Sequence, residues 1–154
     1  MRLYLMQHGR PVPKDRDPRQ PLSDEGARDV KAVAARLARL GVRPNVIFHS
    51  PKDRAKQTAQ IVSEQLPGPV RLEERDDVTP LADPAAAMEA IGSGFEEVMI
   101  AGHLPHLGKL ATRLLTGGTR EEPSMVAFRQ GSVLCLILEE GNWKVAWMVI
   151  PDLF

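Results

Sequence analysis

Three short apolar runs, each leading directly into a polar turn and then a helix-forming stretch, restrict the possible folds of this chain more than any other feature. Leu3-Tyr4-Leu5-Met6 runs into Gln7-His8-Gly9, Val46-Ile47-Phe48 into His49-Ser50-Pro51, and Val98-Met99-Ile100-Ala101 into Gly102-His103-Leu104-Pro105. Continuous apolar runs of this length, without alternation, fit strands covered on both faces, and such strands belong to parallel sheets with helical crossovers.

The intervening segments supply the helices. Ser23 precedes Asp24 and Glu25, an N-cap followed by carboxylates that suit the helix dipole. Val30, Val33, Ala34, Leu37 and Leu40 then recur at helical spacing until Gly41, which predicts a helix over 24–40. Ser50-Pro51 reads as an N-cap with proline at the first helical position, and Ala55, Ala59, Val62 and Leu66 form one face that stops at Pro67-Gly68. A strand is expected over 70–74. Asp83-Pro84 opens a helix to Ile91, and 105–116 forms another, closed by Gly117-Gly118. The last third changes to strands, at 125–128, 132–139 and 143–150, the last two joined as a hairpin by Glu140-Gly141-Asn142. The expected fold is one α/β domain over 1–154, a three-layer α/β/α sandwich with a mostly parallel central sheet and a C-terminal antiparallel hairpin.

Lys+Arg and Asp+Glu both number 20, so the chain lacks the basic excess of a nucleic-acid binder or a polybasic membrane ligand. Cys135 lies in the apolar run 133–138 and reads as a buried small hydrophobe, with no disulfide framework. The apolar runs are too short for a signal-peptide core or a bilayer span, so the expected location is cytoplasmic, with no membrane association.

In an open parallel sheet, strand-to-helix junctions gather at the carboxyl ends of the strands, where ligands bind. His8, Ser50 with Arg54, and His103 therefore converge on one edge. Ser50 is expected to direct helix-terminal amides there, and Arg54 to present a planar fork to an anion. His49 reads as structural or at the rim, and His106 as facing outward. Lys52, Asp53 and Lys56 read as a solvated helix face, and Trp143 and Trp147 as packing on the hairpin. A metal site from His103 and His106 with His8 or His49 is disfavoured, because no carboxylate or thiol clusters with them.

These residues resemble the histidine phosphatase superfamily, the phosphoglycerate-mutase-like fold, and its compact SixA-like branch. The resemblance is carried by Leu3-Tyr4-Leu5-Met6-Gln7-His8-Gly9, Leu22-Ser23-Asp24-Glu25-Gly26, Ile100-Ala101-Gly102-His103-Leu104-Pro105, and above all Ser50-Pro51-Lys52-Asp53-Arg54-Ala55-Lys56-Gln57-Thr58-Ala59. It implies that His8 attacks phosphorus and is transiently phosphorylated. Arg54 and His103 would then hold the phosphoryl oxygens, with Gln7, Gly9, Arg10 and Ser50 contributing to phosphate binding. Neither metal nor cofactor is implied, and the implied partner is a phosphohistidine-bearing protein or a small phosphorylated substrate. Gln7 departs from the pattern, which has arginine before the nucleophilic histidine. Losing that charged clamp costs about 2–4 kcal/mol, roughly 10²–10³ in rate. Arg10 is the candidate substitute, and Pro11 restricts its backbone. For a general acid, Asp76, Asp77 and Asp83 are candidates alongside Thr79. A phosphoramidate substrate lessens the need for one, because its leaving imidazole is readily protonated. The second reading is a degenerate member that binds phosphate or phosphoprotein without turnover.

Overall fold

A computed structural model describes residues 1–153, and its secondary structure follows the expected alternation. The strands are β1 (Arg2–Gln7), β2 (Val46–His49), β3 (Arg71–Glu74), β4 (Glu97–Gly102), β5 (Val133–Glu139) and β6 (Asn142–Val149). The helices are α1 (Asp24–Arg39), α2 (Asp53–Gln65), α3 (Pro84–Ile91) and α4 (His106–Leu115). The strands form one sheet in the order β3-β2-β4-β1-β5-β6, with the first four parallel and the last two antiparallel.

Alternation along the strands divides the core in two. Leu3, Leu5, Phe48, Val98, Ile100, Leu134 and Leu136 pack against Ala87, Leu107, Leu110 and Leu114 of α3 and α4. Tyr4, Met6, Ile47, Met99, Ala101 and Cys135 pack on the opposite face against Val30, Val33, Leu37, Ala59 and Val62 of α1 and α2. This is the three-layer α/β/α sandwich, and each fully buried aliphatic or aromatic side chain contributes about 1.5–3 kcal/mol.

Helix ends follow the local chemistry. Ser23 Oγ accepts from Gly26 N at 3.0 Å. After α1, Gly41 takes φ +77°, its N–H donates to Ala38 O, and Val42 N–H donates to Leu37 O. That is the paired closure of a helix by a left-handed glycine. Asp83 caps α3 by accepting from Ala85 N at 2.9 Å.

Three expectations need correction. Residues 125–128 are not a strand. The Met125 N–H donates to Thr112 Oγ1 on α4, and the Ser124 hydroxyl takes both the N–H and the C=O of Val126, which diverts these groups from a ladder. The edge of β1 that a further strand could have taken is occupied by β5. Ser50 does not cap α2, which begins at Asp53. Its hydroxyl instead accepts from Lys52 N at 3.2 Å, closing a turn ahead of the helix. His106 is fully buried rather than outward, because it shares the stripe of Leu110 and Leu114 at four-residue spacing. Trp143 and Trp147 pack on opposite faces of the sheet. Cys135 pairs with Trp147 and Leu136 with Val145, so Ala146 is an inserted bulge residue that reverses the alternation.

The loop carrying His8 is fixed by close approach. A Cβ on Gly26 would collide with the Arg10 carbonyl oxygen, and one on Gly9 would lie 2.7 Å from Val30. Because the Gly26 neighbour is backbone, Gly26→Ala is expected to destabilise the protein by about 3 kcal/mol. Urea unfolding measures this, and a change below about 1 kcal/mol would mean that the loop yields freely.

Candidate active site

The sheet order places β4 between β2 and β1, so the three reactive junctions are neighbours. The His8 N–H donates to Gly102 O at 3.0 Å, which extends the β1–β4 ladder one step beyond the strand ends. His8 and His103 then face each other with ring centres 5.1 Å apart and planes tilted by 56°. Both are buried, His8 at 7% and His103 at 1% exposure.

The tautomer of His8 follows from its partner. Nδ1 lies 2.7 Å from the Gly9 carbonyl oxygen, which can only accept, so Nδ1 carries the proton. Nε2 therefore holds the lone pair. Burial lowers the His8 pKa below its ordinary 6.5, and the charge of Arg54 adds to this against the opposing Gly9 contact. At neutral pH the ring is uncharged and basic at Nε2.

Neither ring nitrogen of His103 has a hydrogen-bond partner among the described residues, although both are buried. Burial first, then His8, Arg54 and Lys52, push its pKa down to about 3. A buried imidazole with two unsatisfied nitrogens is costly, and an oxyanion beside it would both satisfy a donor and raise that pKa. Arg54 is half-buried, with its pKa lowered by burial, and among the described residues no carboxylate lies within ion-pair distance of it.

Two residues without an assigned role in the sequence reading hold this arrangement together. Thr58 Oγ1 accepts from Gly9 N at 3.1 Å and donates to Arg54 O at 2.7 Å. Gln57 Oε1 accepts from Leu22 N at 2.7 Å, fixing the approach to α1. Both lie in the run that carries the resemblance most specifically, and that was their only signal.

The other expected residues are placed as follows. Ser50 is buried at the end of β2, one step past the His49–Ala101 pair, with its hydroxyl engaged by Lys52. Gln7 is buried at the end of β1, and its Oε1 has no partner among the described residues. Arg10 pairs with Glu25 at 2.8 Å and is directed along α1. Asp77 is gripped by Arg75 at 2.7 and 2.9 Å, and this pairing lowers its pKa. Asp83 is lowered too, by the Ala85 amide and then by Arg113. Both carboxylates are thus held ionised, which does not suit a proton donor near neutral pH. Thr79 donates to Asp76 O within its own turn. His49 is buried, and its Nδ1 donates to Ser50 O at 3.0 Å. Lys52 and Lys56 are exposed and Asp53 is half-exposed. Among the described residues no three His, Cys, Asp or Glu side chains gather in a metal-binding group.

Residues 3–76 match the histidine phosphatase superfamily (branch 1). The chain is 31% identical over 132 residues to an uncharacterised protein of Picosynechococcus sp., covering 77% of this chain and 76% of that one. It is 29% identical over 157 residues to the phosphohistidine phosphatase SixA of Escherichia coli, covering 98% of this chain and 94% of the other. Superposition on the protein histidine phosphatase SixA complexed with tungstate gives a TM-score of 0.85 at 26% identity, over 99% of this chain and 98% of that one. The chain belongs to the histidine phosphatase superfamily. Within this histidine phosphatase, the SixA likeness extends through β5 and β6, beyond the residues matched to the family.

The pKa directions give a direct test. Imidazole proton shifts followed by NMR should titrate below pH 6.5 for both His8 and His103, with His103 the lower. In the unfolded chain both would take up a proton near pH 6.5, so the unfolded state binds more protons on acidification. Their contribution to stability is therefore present above about pH 6.5 and is lost as pH falls below it. Midpoints at or above 7 would contradict the burial argument.

Proposed function

We propose that this phosphatase removes the phosphoryl group from phosphohistidine on a protein, in two transfers through His8. In the first, His8 Nε2 forms a bond to phosphorus as the P–N bond to the substrate imidazole breaks, and that imidazole leaves with a proton from solvent. In the second, water attacks the phosphorylated His8, phosphate leaves, and the free imidazole returns. Arg54 and the donor-form His103 hold the equatorial oxygens through a loose transition state, where positioning and charge stabilisation supply most of the catalysis. Gly9, through its amide bonded to Thr58, keeps the nucleophile loop in place.

The observation that carries this reading is the His8 ring itself, locked by the Gly9 carbonyl with Nε2 free and 5.1 Å, centre to centre, from an unpartnered His103. The preference for phosphohistidine has two supports. Asp77 and Asp83, both held ionised, offer no ready acid for an alcohol leaving group. The SixA relative is named for the same substrate. Tungstate in the similar structure is a tetrahedral oxyanion of the class this site would hold. No described helix is long and apolar enough to cross a membrane, and the proposed setting is the cytoplasm with a phosphoprotein partner.

The test is incubation with phosphoramidate followed by intact mass under non-acidic conditions. An acid-labile phosphoryl adduct on His8, with phosphate release, is the expected result. Gln7 supports a second reading, since an uncharged residue stands at the clamp position. Phosphate binding with neither adduct nor turnover would favour a binding module.

A further inference from the structure

Beside the histidine pair, the loop between β1 and α1 faces the segment entering α2 across a cleft of about 430 Å³. Lys14, Arg19, Lys52 and Arg54 line it. Asp53 is the only carboxylate among the described residues lining it, and it sits 3.3 Å from Arg19 Nε. Asp17, on the same loop, is turned back to accept from the Arg19 main-chain N–H. Lys14, Lys52 and Arg54 have no carboxylate within ion-pair distance among the described residues. The cleft therefore carries an excess of positive charge, and Arg54 belongs both to it and to the phosphoryl site.

We infer that this cleft binds acidic side chains flanking the phosphorylated residue of a protein substrate, so that the enzyme selects phosphohistidine in an acidic context. The inference rests on the phosphohistidine reading above. The cleft is far larger than one phosphate group, and its cations stand on both walls, which suits several carboxylates along a segment. Lys14 and Arg19 are exposed, so they act through attraction and steering rather than through desolvated pairing. Exposed pairs are individually weak, and two or three together give roughly tenfold in affinity at low salt.

The probes are two peptides bearing phosphotriazolylalanine, a stable phosphohistidine mimic, flanked either by Asp and Glu or by Asn and Gln. Calorimetric titration should show about tenfold tighter binding of the acidic peptide, diminishing as salt rises. The double variant Lys14→Glu with Arg19→Glu should lose that preference while hydrolysing phosphoramidate at the wild-type rate. Equal affinity for the two peptides, a preference that survives charge reversal, or no binding of either would overturn the inference. A small bisphosphate that binds more tightly than the acidic peptide, and loses that advantage in the double variant, would reassign the cleft to a second phosphate and overturn it too. Absence of phosphoramidate turnover with the peptide preference intact would remove the catalytic reading and leave the cleft's selectivity standing.

Discussion

His8→Ala is expected to lower turnover of phosphoramidate and of phosphohistidine peptide on the order of 10⁴-fold or more, about 5 kcal/mol of transition-state stabilisation. In the proposed mechanism the imidazole supplies the atom that bonds to phosphorus, so its removal would leave only the proposed oxyanion contacts of Arg54 and His103. His49 cannot take over. It carries the same lock, Nδ1 donating to the next carbonyl, but it ends β2, which is separated from β1 by β4. His8→Asn is the companion variant, because it keeps a polar group beside Gly9 and should fold with little loss. Both variants should retain the wild-type circular dichroism and show no acid-labile adduct. Full turnover by either one would mean that the two-transfer mechanism is wrong.

Gln7→Arg should move activity the other way, raising kcat/KM roughly 10²-fold or more. The Gln7 side chain is buried at the end of β1 with its carbonyl oxygen unpartnered, so replacing it sacrifices no hydrogen bond of that oxygen. The cleft it lines also contains Asp29 and Asp152, which can balance a guanidinium, together with Arg10 and Arg129, which oppose one. Arg10 is engaged by Glu25 and does not already supply the missing charge. Steady-state kinetics with phosphoramidate, together with phosphate affinity, measure the effect. If neither parameter rises, Gln7 is not the limiting element of the site.

The parts of this molecule legible in the sequence are those set by local chemistry and periodicity. The caps at Ser23, Asp83 and Gly41, and the junctions that end on His8 and His103, need only neighbouring residues to be read. The segment 125–128 has strand-forming side chains, but Thr112 and Ser124 engage the backbone of Met125 and Val126, and the Thr112 contact depends on tertiary placement. The Ala146 bulge likewise arises from pairing with β5 and leaves no mark in the pattern of β6. The spacing of His106 to Leu110 and Leu114 places it on the apolar stripe of α4, and burial of that stripe outweighs the polar character of its ring, which alone points to solvent. The ionised state of Asp77 depends on Arg75, two residues away, and spacing alone does not show that their side chains meet.

The hydroxyl of Thr58 has a consequence for how this site tolerates change. One oxygen atom joins the amide of Gly9 to the carbonyl of Arg54, so the proposed nucleophile and the proposed clamp answer to a common hinge pin. Displacing α2 shifts both together and leaves their spacing nearly intact, whereas loss of the pin frees each to drift alone. Substitutions at Gly9 and Thr58 should accordingly be strongly non-additive, the second costing much less than the first. A lineage that loses the pin has little left to protect at either end of it.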